Sequence, residues 1–198
     1  MNSLVSGVIR VTLLGFTLIA AGCAHMINLT PPLNTLEAGD IVKMGKTVGY
    51  YISPADRAKK VTTPGGGGDK VTYLPYVDAE PALRDVLQRV FGEVVNVPSL
   101  DDKQFLADQH VVYVFVPTLS TTSSSSSAFT WPPTNFEIAI DCKAVDANGA
   151  TVWQTSVTGT GEAVFADFKH DFSLAARRAT KAAFLDLQGR INTAPEFR

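Results

Sequence analysis

The stretch NFEIAIDCKAVDANGATVWQTSV, residues 135 to 157, decides the fold class. Its first half alternates: Phe136, Ile138, Ile140 and Cys142 fall on one side of an extended chain, Glu137, Asp141 and Lys143 on the other. That is the period of a half-buried strand. Asn148-Gly149 supplies the positive φ that a tight hairpin turn needs. The run from Thr151 to Val157 returns as the partner strand, and GTGEAVF (159–165) can extend it. On this pattern Cys142 is a small buried hydrophobe rather than a nucleophile.

Working outward, HVVYVFVPTL (110–119) is apolar on both parities, which fits a strand covered on both faces. KTVGYYI (46–52) is β-branched and aromatic and reads as another strand, closed by the turn or helix-start signal SPAD. In DAEPALRDVLQRVFGEVV (78–95), Leu83, Val86, Leu87, Val90, Phe91 and Val94 form one helical stripe, with Asp78 as the expected cap. A last helix is expected from about Asp171 to Gln188, stopped by Gly189. Its small side chains, Ala175, Ala176, Ala179, Ala182 and Ala183, permit close packing on a sheet, and the tail 192–198 is expected to fray. The sum is an α+β fold: a four- to five-stranded, mostly antiparallel sheet with two helices packed on one face. The single domain is expected over 45–191, with a flexible tether over 23–44.

The chain of 198 residues is 45% hydrophobic and 18% charged with a net charge of -2, enough for one domain with a real core. It carries no basic patch or stripe, so nucleic acid is not an expected partner. Two cysteines, Cys23 and Cys142, cannot make a disulfide scaffold.

The segment 1–22 has one basic residue, Arg10, and no acidic one, then an apolar run from Val11 to Ala21 that is too short to span a bilayer. It reads as a signal peptide ending in LIAAGCAHM (18–26). Ala20-Ala21-Gly22-Cys23 resembles the lipobox of bacterial lipoproteins, with Ala20 where that family prefers Leu. The resemblance implies cleavage before Cys23 and lipidation of its thiol. Ala24 stands where an Asp would retain the protein at the inner membrane, which implies an outer-membrane lipid anchor. The element order and the DANGATVW hairpin are similar to small envelope lipoprotein domains, the YajG-like, ABC-transport auxiliary and TolB N-terminal types, over roughly residues 45–190.

Candidate chemistry is sparse. His25, His110 and His170 lack metal-pair spacing, and no serine sits in a Gly-x-Ser-x-Gly turn. Asp101-Asp102 reads as a turn or helix start, and no calcium-loop pattern occurs. Gly65 to Gly68 lack the Gly-Lys-Ser/Thr ending of a phosphate loop. Neither metal nor cofactor is expected. The unusual stretch is TLSTTSSSSSAFTWPP (118–133), read as a long loop. Ser123, Ser124, Ser125, Ser126 and Ser127 with Phe129 and Trp131 make it either a partner-binding loop or a tolerated mobile one. The expectation is a non-enzymatic, periplasm-facing outer-membrane lipoprotein acting as an adaptor or assembly factor of an envelope complex. The alternatives are a binding module for a small ligand, lipid or glycan, and an envelope hydrolase. Self-association stays open.

Overall fold

The structure is a computed structural model and describes residues 24–36, 41 and 43–198. Cys23 and the leader 1–22 lie outside the described residues. The strands in chain order are β1 (Ala24–Met26), β2 (Met44–Tyr50), β3 (Val61–Pro64), β4 (Lys70–Tyr73), β5 (Phe91–Asn96), β6 (Val111–Ser124), β7 (Asn135–Val145) and β8 (Thr151–Glu162). The helices are α1 (Pro54–Ala58), α2 (Pro75–Val90), α3 (Lys103–Asp108), α4 (Phe165–Phe168) and α5 (Leu174–Thr193). The fold is α+β, with a five-stranded sheet ordered β5-β2-β6-β7-β8 and a three-stranded sheet ordered β1-β4-β3. β2 runs parallel to both β5 and β6. The long β6-β7-β8 ladder is antiparallel and holds most of the paired length.

The alternation that opens the hairpin does what the period demands. Phe136, Ile138, Ile140 and Cys142 enter the main core, where α2 contributes Leu83, Val86, Leu87 and Val90. The two long helices pack against each other, α5 over β7 and β8 and α2 over β2 and β5. β6 is covered on both sides at its start: Phe115 and Leu119 join the main core. Val111 and Val114 join a second cluster with Val97 and Leu106.

α5 and β8 approach each other backbone to backbone. A Cβ on Gly159 would stand 2.1 Å from the Ala179 carbonyl oxygen, and one on Gly161 2.1 Å from that of Ala175. Two glycines on the strand and three alanines on the helix, Ala175, Ala179 and Ala183, let backbone meet backbone.

Several expectations are corrected. The helix from Pro75 ends at Val90, and Phe91 starts β5, because Gly92 and the β-branched pair Val94-Val95 favour extension and β2 offers a hydrogen-bonding edge. Asp78 lies inside the first turn of α2, which begins at Leu74-Pro75. The tether is replaced over 24–36 by a docked segment: β1 pairs with β4, and Ile27, Leu29 and Leu36 are buried. Asp78 holds it, accepting hydrogen bonds from Asn28 Nδ2 (2.9 Å) and the Leu29 N–H (3.2 Å), while its carbonyl accepts from Thr30 Oγ1 (2.8 Å). α5 runs through Gly189 to Thr193, because its buried face continues to Ile191. The C-terminal tail does not fray: Phe197 is fully buried among Phe91, Tyr113, Phe115 and Trp153.

Glycines 159 and 189 therefore respond with opposite sign. Gly159→Val is expected to cost about 3 kcal/mol through overpacking against the α5 backbone. Gly189→Ala, with open space around it, is expected to stabilise by about 0.5–1 kcal/mol through helix propensity. Urea unfolding of both variants measures the difference.

Candidate functional site

The first part of the serine-rich stretch, Thr118 to Ser124, is strand. Thr118 to Ser124 pair residue by residue with β7, leaving 125–134 as the connection. The strand reading was hidden because its inward positions carry hydroxyls instead of apolar groups. Thr121 Oγ1 lies 2.7 Å from Tyr73 Oη, and Tyr73 Oη 3.3 Å from Thr63 Oγ1. Ser123 Oγ lies 2.6 Å from Thr63 Oγ1 and 2.5 Å from the Pro64 carbonyl oxygen. This run of hydroxyls ends on a carbonyl acceptor, with Ser123 Oγ as the donor at that end, and it joins the small sheet to β6.

The remaining serines order the connection itself. Ser125 Oγ accepts from the Ser127 N–H (3.1 Å), the Ser126 N–H donates to Thr134 Oγ1 (3.1 Å), and Ser127 Oγ accepts from the Phe129 N–H (3.3 Å). The glycine loop between β3 and β4 locks onto it. The Gly66 N–H donates to the Trp131 carbonyl (2.8 Å) and the Gly67 N–H to the Ser127 carbonyl (3.2 Å). A Cβ on Gly66 would stand 1.8 Å from the Thr130 carbonyl oxygen, and Gly67 and Gly68 have φ of 65° and 87°. The glycine run thus serves close approach and left-handed backbone. The N–H groups of Gly65, Gly66 and Gly67 donate to protein carbonyls.

Trp131 is the centre of this end of the molecule. His25 stacks on it with ring centroids 4.3 Å apart, and Phe172 packs on it at 4.9 Å. His25 Nε2 lies 3.5 Å from Asp69 Oδ2, and the Asn28 N–H donates to Ser173 Oγ (3.0 Å). Phe129 projects beside them, 97% exposed. The structure therefore brings together Trp131, Phe129 and the serine connection, and adds His25, Asp69 and Phe172. No local pattern in the sequence connects positions 25, 69, 131 and 172: the parallel pairing of β1 with β4 brings His25 to Asp69, and the Gly66–Trp131 hydrogen bond and ring packing bring in Trp131 and Phe172.

Among the described residues no serine, threonine or cysteine is hydrogen-bonded to the His25–Asp69 pair, and no group of three metal-ligating side chains converges. Asp102 caps α3, accepting from the Phe105 N–H at 2.9 Å. Cys142 is buried, and burial pushes its thiol up to about 12, so it stays protonated near neutrality. The densest titratable cluster joins α1, α2 and β2. Arg57 grips Glu80 with both terminal nitrogens, one at 2.8 Å, and Tyr50 Oη donates to Glu80 Oε1 (2.9 Å). Burial, then the Glu80 hydrogen bond, raises Tyr50 to about 12. Burial opposes ionisation of Glu80, yet the bonds from Arg57 and Tyr50 together hold its carboxyl below the usual range. This is an inter-element clamp.

A second surface is the outer face of β6-β7-β8. Registered rows cross it: Val116-Lys143-Gln154, Thr118-Asp141-Ser156 and Thr122-Glu137-Thr160. Ser156 donates to Asp141. Thr118, Ser120, Thr122, Ser124, Thr158 and Thr160 are exposed on it, and among the described residues no element covers them. Trp131 and Trp153 do not share a pocket, since Trp153 packs on Phe115 and Phe197 near the other end of β8.

No family model matches the chain, and no curated protein matches it significantly. Solved structures to which it is similar include protein XCC0632 from Xanthomonas campestris, of the DUF330 family (TM-score 0.45, 12% identity, covering 86% of this chain and 94% of that one). Another is the PelC dodecamer from Paraburkholderia phytofirmans (TM-score 0.41, 17% identity, 74% and 94%). A third is a candidate lipoprotein from Caulobacter crescentus (TM-score 0.31, 18% identity, 73% and 89%). Among the described residues no helix is long and apolar enough to cross a membrane.

Two measurements follow from the titrating groups. Cys142 is expected to resist a thiol reagent in the folded protein at pH 8 and to react at once in denaturant. For Glu80 the folded pKa is depressed, so its contribution is present above the unfolded value near 4.5 and lost as pH falls through the folded one. The melting-temperature gap between wild type and Glu80→Gln is expected to be largest at neutral pH and to narrow below about pH 4.

Proposed function

We propose that the protein is a non-enzymatic, lipid-anchored adaptor or assembly factor of a cell-envelope complex, tethered to the outer membrane through Cys23 and facing the periplasm. One observation carries this reading: the antiparallel ladder presents an uncovered polar face and ends in a long unpaired edge. Among the described residues β8 has β7 on one side and no strand on the other. Of its 12 residues only Glu162 is charged, and none is proline. Exposed edges are normally guarded by lysines, prolines or short length, because an open row of N–H and C=O groups templates another chain. An unguarded edge flanked by Thr and Ser suits addition of a partner strand, with main-chain hydrogen bonds giving affinity and the face rows giving specificity.

The interlocked loops shift the expected contact surface away from Ser123 and Ser125, whose hydroxyls are engaged internally. Phe129 is the large apolar side chain of the serine-rich segment that stays exposed.

Photocrosslinking residues placed at Ser156 and Thr122 are expected to give discrete protein adducts in intact envelopes, and the same residue at Arg84 on α2 none. Adduct formation at Arg84 equal to that at both face positions, or none at any position, overturns the assignment of this face.

A further inference from the structure

Seven large apolar side chains are strongly exposed among the described residues, and five of them lie at one end: Met26, Phe129, Val164, Phe165 and Phe172. Topology gathers them. β6 stops at Ser124 opposite Asn135, where β7 begins, and Asn135 is paired with Glu162 at the end of β8. The Ala163 N–H donates to the Thr134 carbonyl, so Val164 and Phe165 follow directly at that end. β1 starts with Ala24 beside Lys70, just after the glycine loop that is bonded to Trp131. Phe172 packs on Trp131. Such a cluster on a small domain marks a contact surface.

The occupant follows from the chain. Ala24 is one peptide bond from Cys23, and β1 together with the Asp78 clamp leaves no slack between that point and the domain. Resting on the reading that Cys23 is acylated, we propose that this end of the domain lies directly on the bilayer, with Phe129, Phe165 and Phe172 entering the boundary between headgroups and acyl chains. Aromatic side chains favour that zone. The local charges balance: Lys70, Lys169, Arg177 and Arg178 face Asp69, Glu162, Asp167 and Asp171, with Arg177–Asp171 and Arg178–Asp167 paired. Docking is therefore by apolar burial and does not need anionic lipid. The strands stand away from the membrane, and a strand of 11 residues such as β7 carries the Asn148-Gly149 turn about 35 Å outward.

The test uses the full chain in its acylated form, purified from envelopes and reconstituted in phosphatidylcholine vesicles. An environment-sensitive dye is attached at Phe129→Cys or, as the distal control, at Asn148→Cys; both positions are exposed, so folding is preserved. Emission at 129 is expected to shift to the blue and to be quenched several-fold more by brominated lipid than at 148, equally at low and high salt. Adding Phe165→Ser and Phe172→Ser is expected to reduce that quenching. Water-like emission at both positions overturns the proposal, as does a signal at 129 that appears only at high protein density, which marks contact with a second copy. The mass of the N-terminal peptide separates the two readings. Acyl mass with a water-exposed 129 removes the docking alone, whereas absence of acyl mass removes the anchor and the docking with it.

Discussion

The contact on which the architecture depends is backbone against backbone: Gly159 and Gly161 of β8 against Ala175, Ala179 and Ala183 of α5. It lets a 20-residue helix lie flat on the hairpin without a layer of side chains between them. The helix is then low enough to share one core with α2, and its far end reaches Phe197, which closes the bottom of the sheet against Phe91, Phe115 and Trp153. A packed interior has no room for extra methyl groups at such a point, because displaced backbone cannot relax the way a side chain does.

Hydroxyls take over where apolar packing stops. At the far end of β6, inward positions hold Thr121 and Ser123, and their partners Tyr73, Thr63 and the Pro64 carbonyl carry the small sheet. Buried hydroxyls cost stability unless every one is paired, and this set is paired in sequence. The same end then adds the glycine loop, the serine connection and the His25–Trp131–Phe172 stack. What composition suggests is a mobile region is held at many points, and the segment after Cys23 is built into it.

The two surfaces differ in chemistry. One end gathers exposed apolar side chains beside the start of the chain, while the outer sheet face is polar and leads to an open edge. Under the proposed anchoring, a domain with these two surfaces at fixed orientation would hold a partner at a set height and angle from the membrane, which a flexible tether would not.

The sequence by itself determined the elements whose side-chain period is strong: the hairpin 135–157, the stripe from Leu83 to Val90, the small face of the last helix, and Cys142 as a core residue. It also supplied the lipobox resemblance. Local signals erred where partners distant in the chain decide. Phe91 to Asn96 leave the helix because β2 offers an edge, and Thr118 to Ser124 are strand because β7 and Tyr73 satisfy them. Ile27, Leu29 and Phe197 are ordered because the core has places for them. At the Trp131 site the sequence singled out Phe129 and Trp131 but not their meeting with His25, Asp69 and Phe172, which come from separate segments. Hydrophobic period is written locally in a chain, whereas pairing of backbone edges and the meeting of loops are properties of the folded whole, and only the tertiary structure decided them.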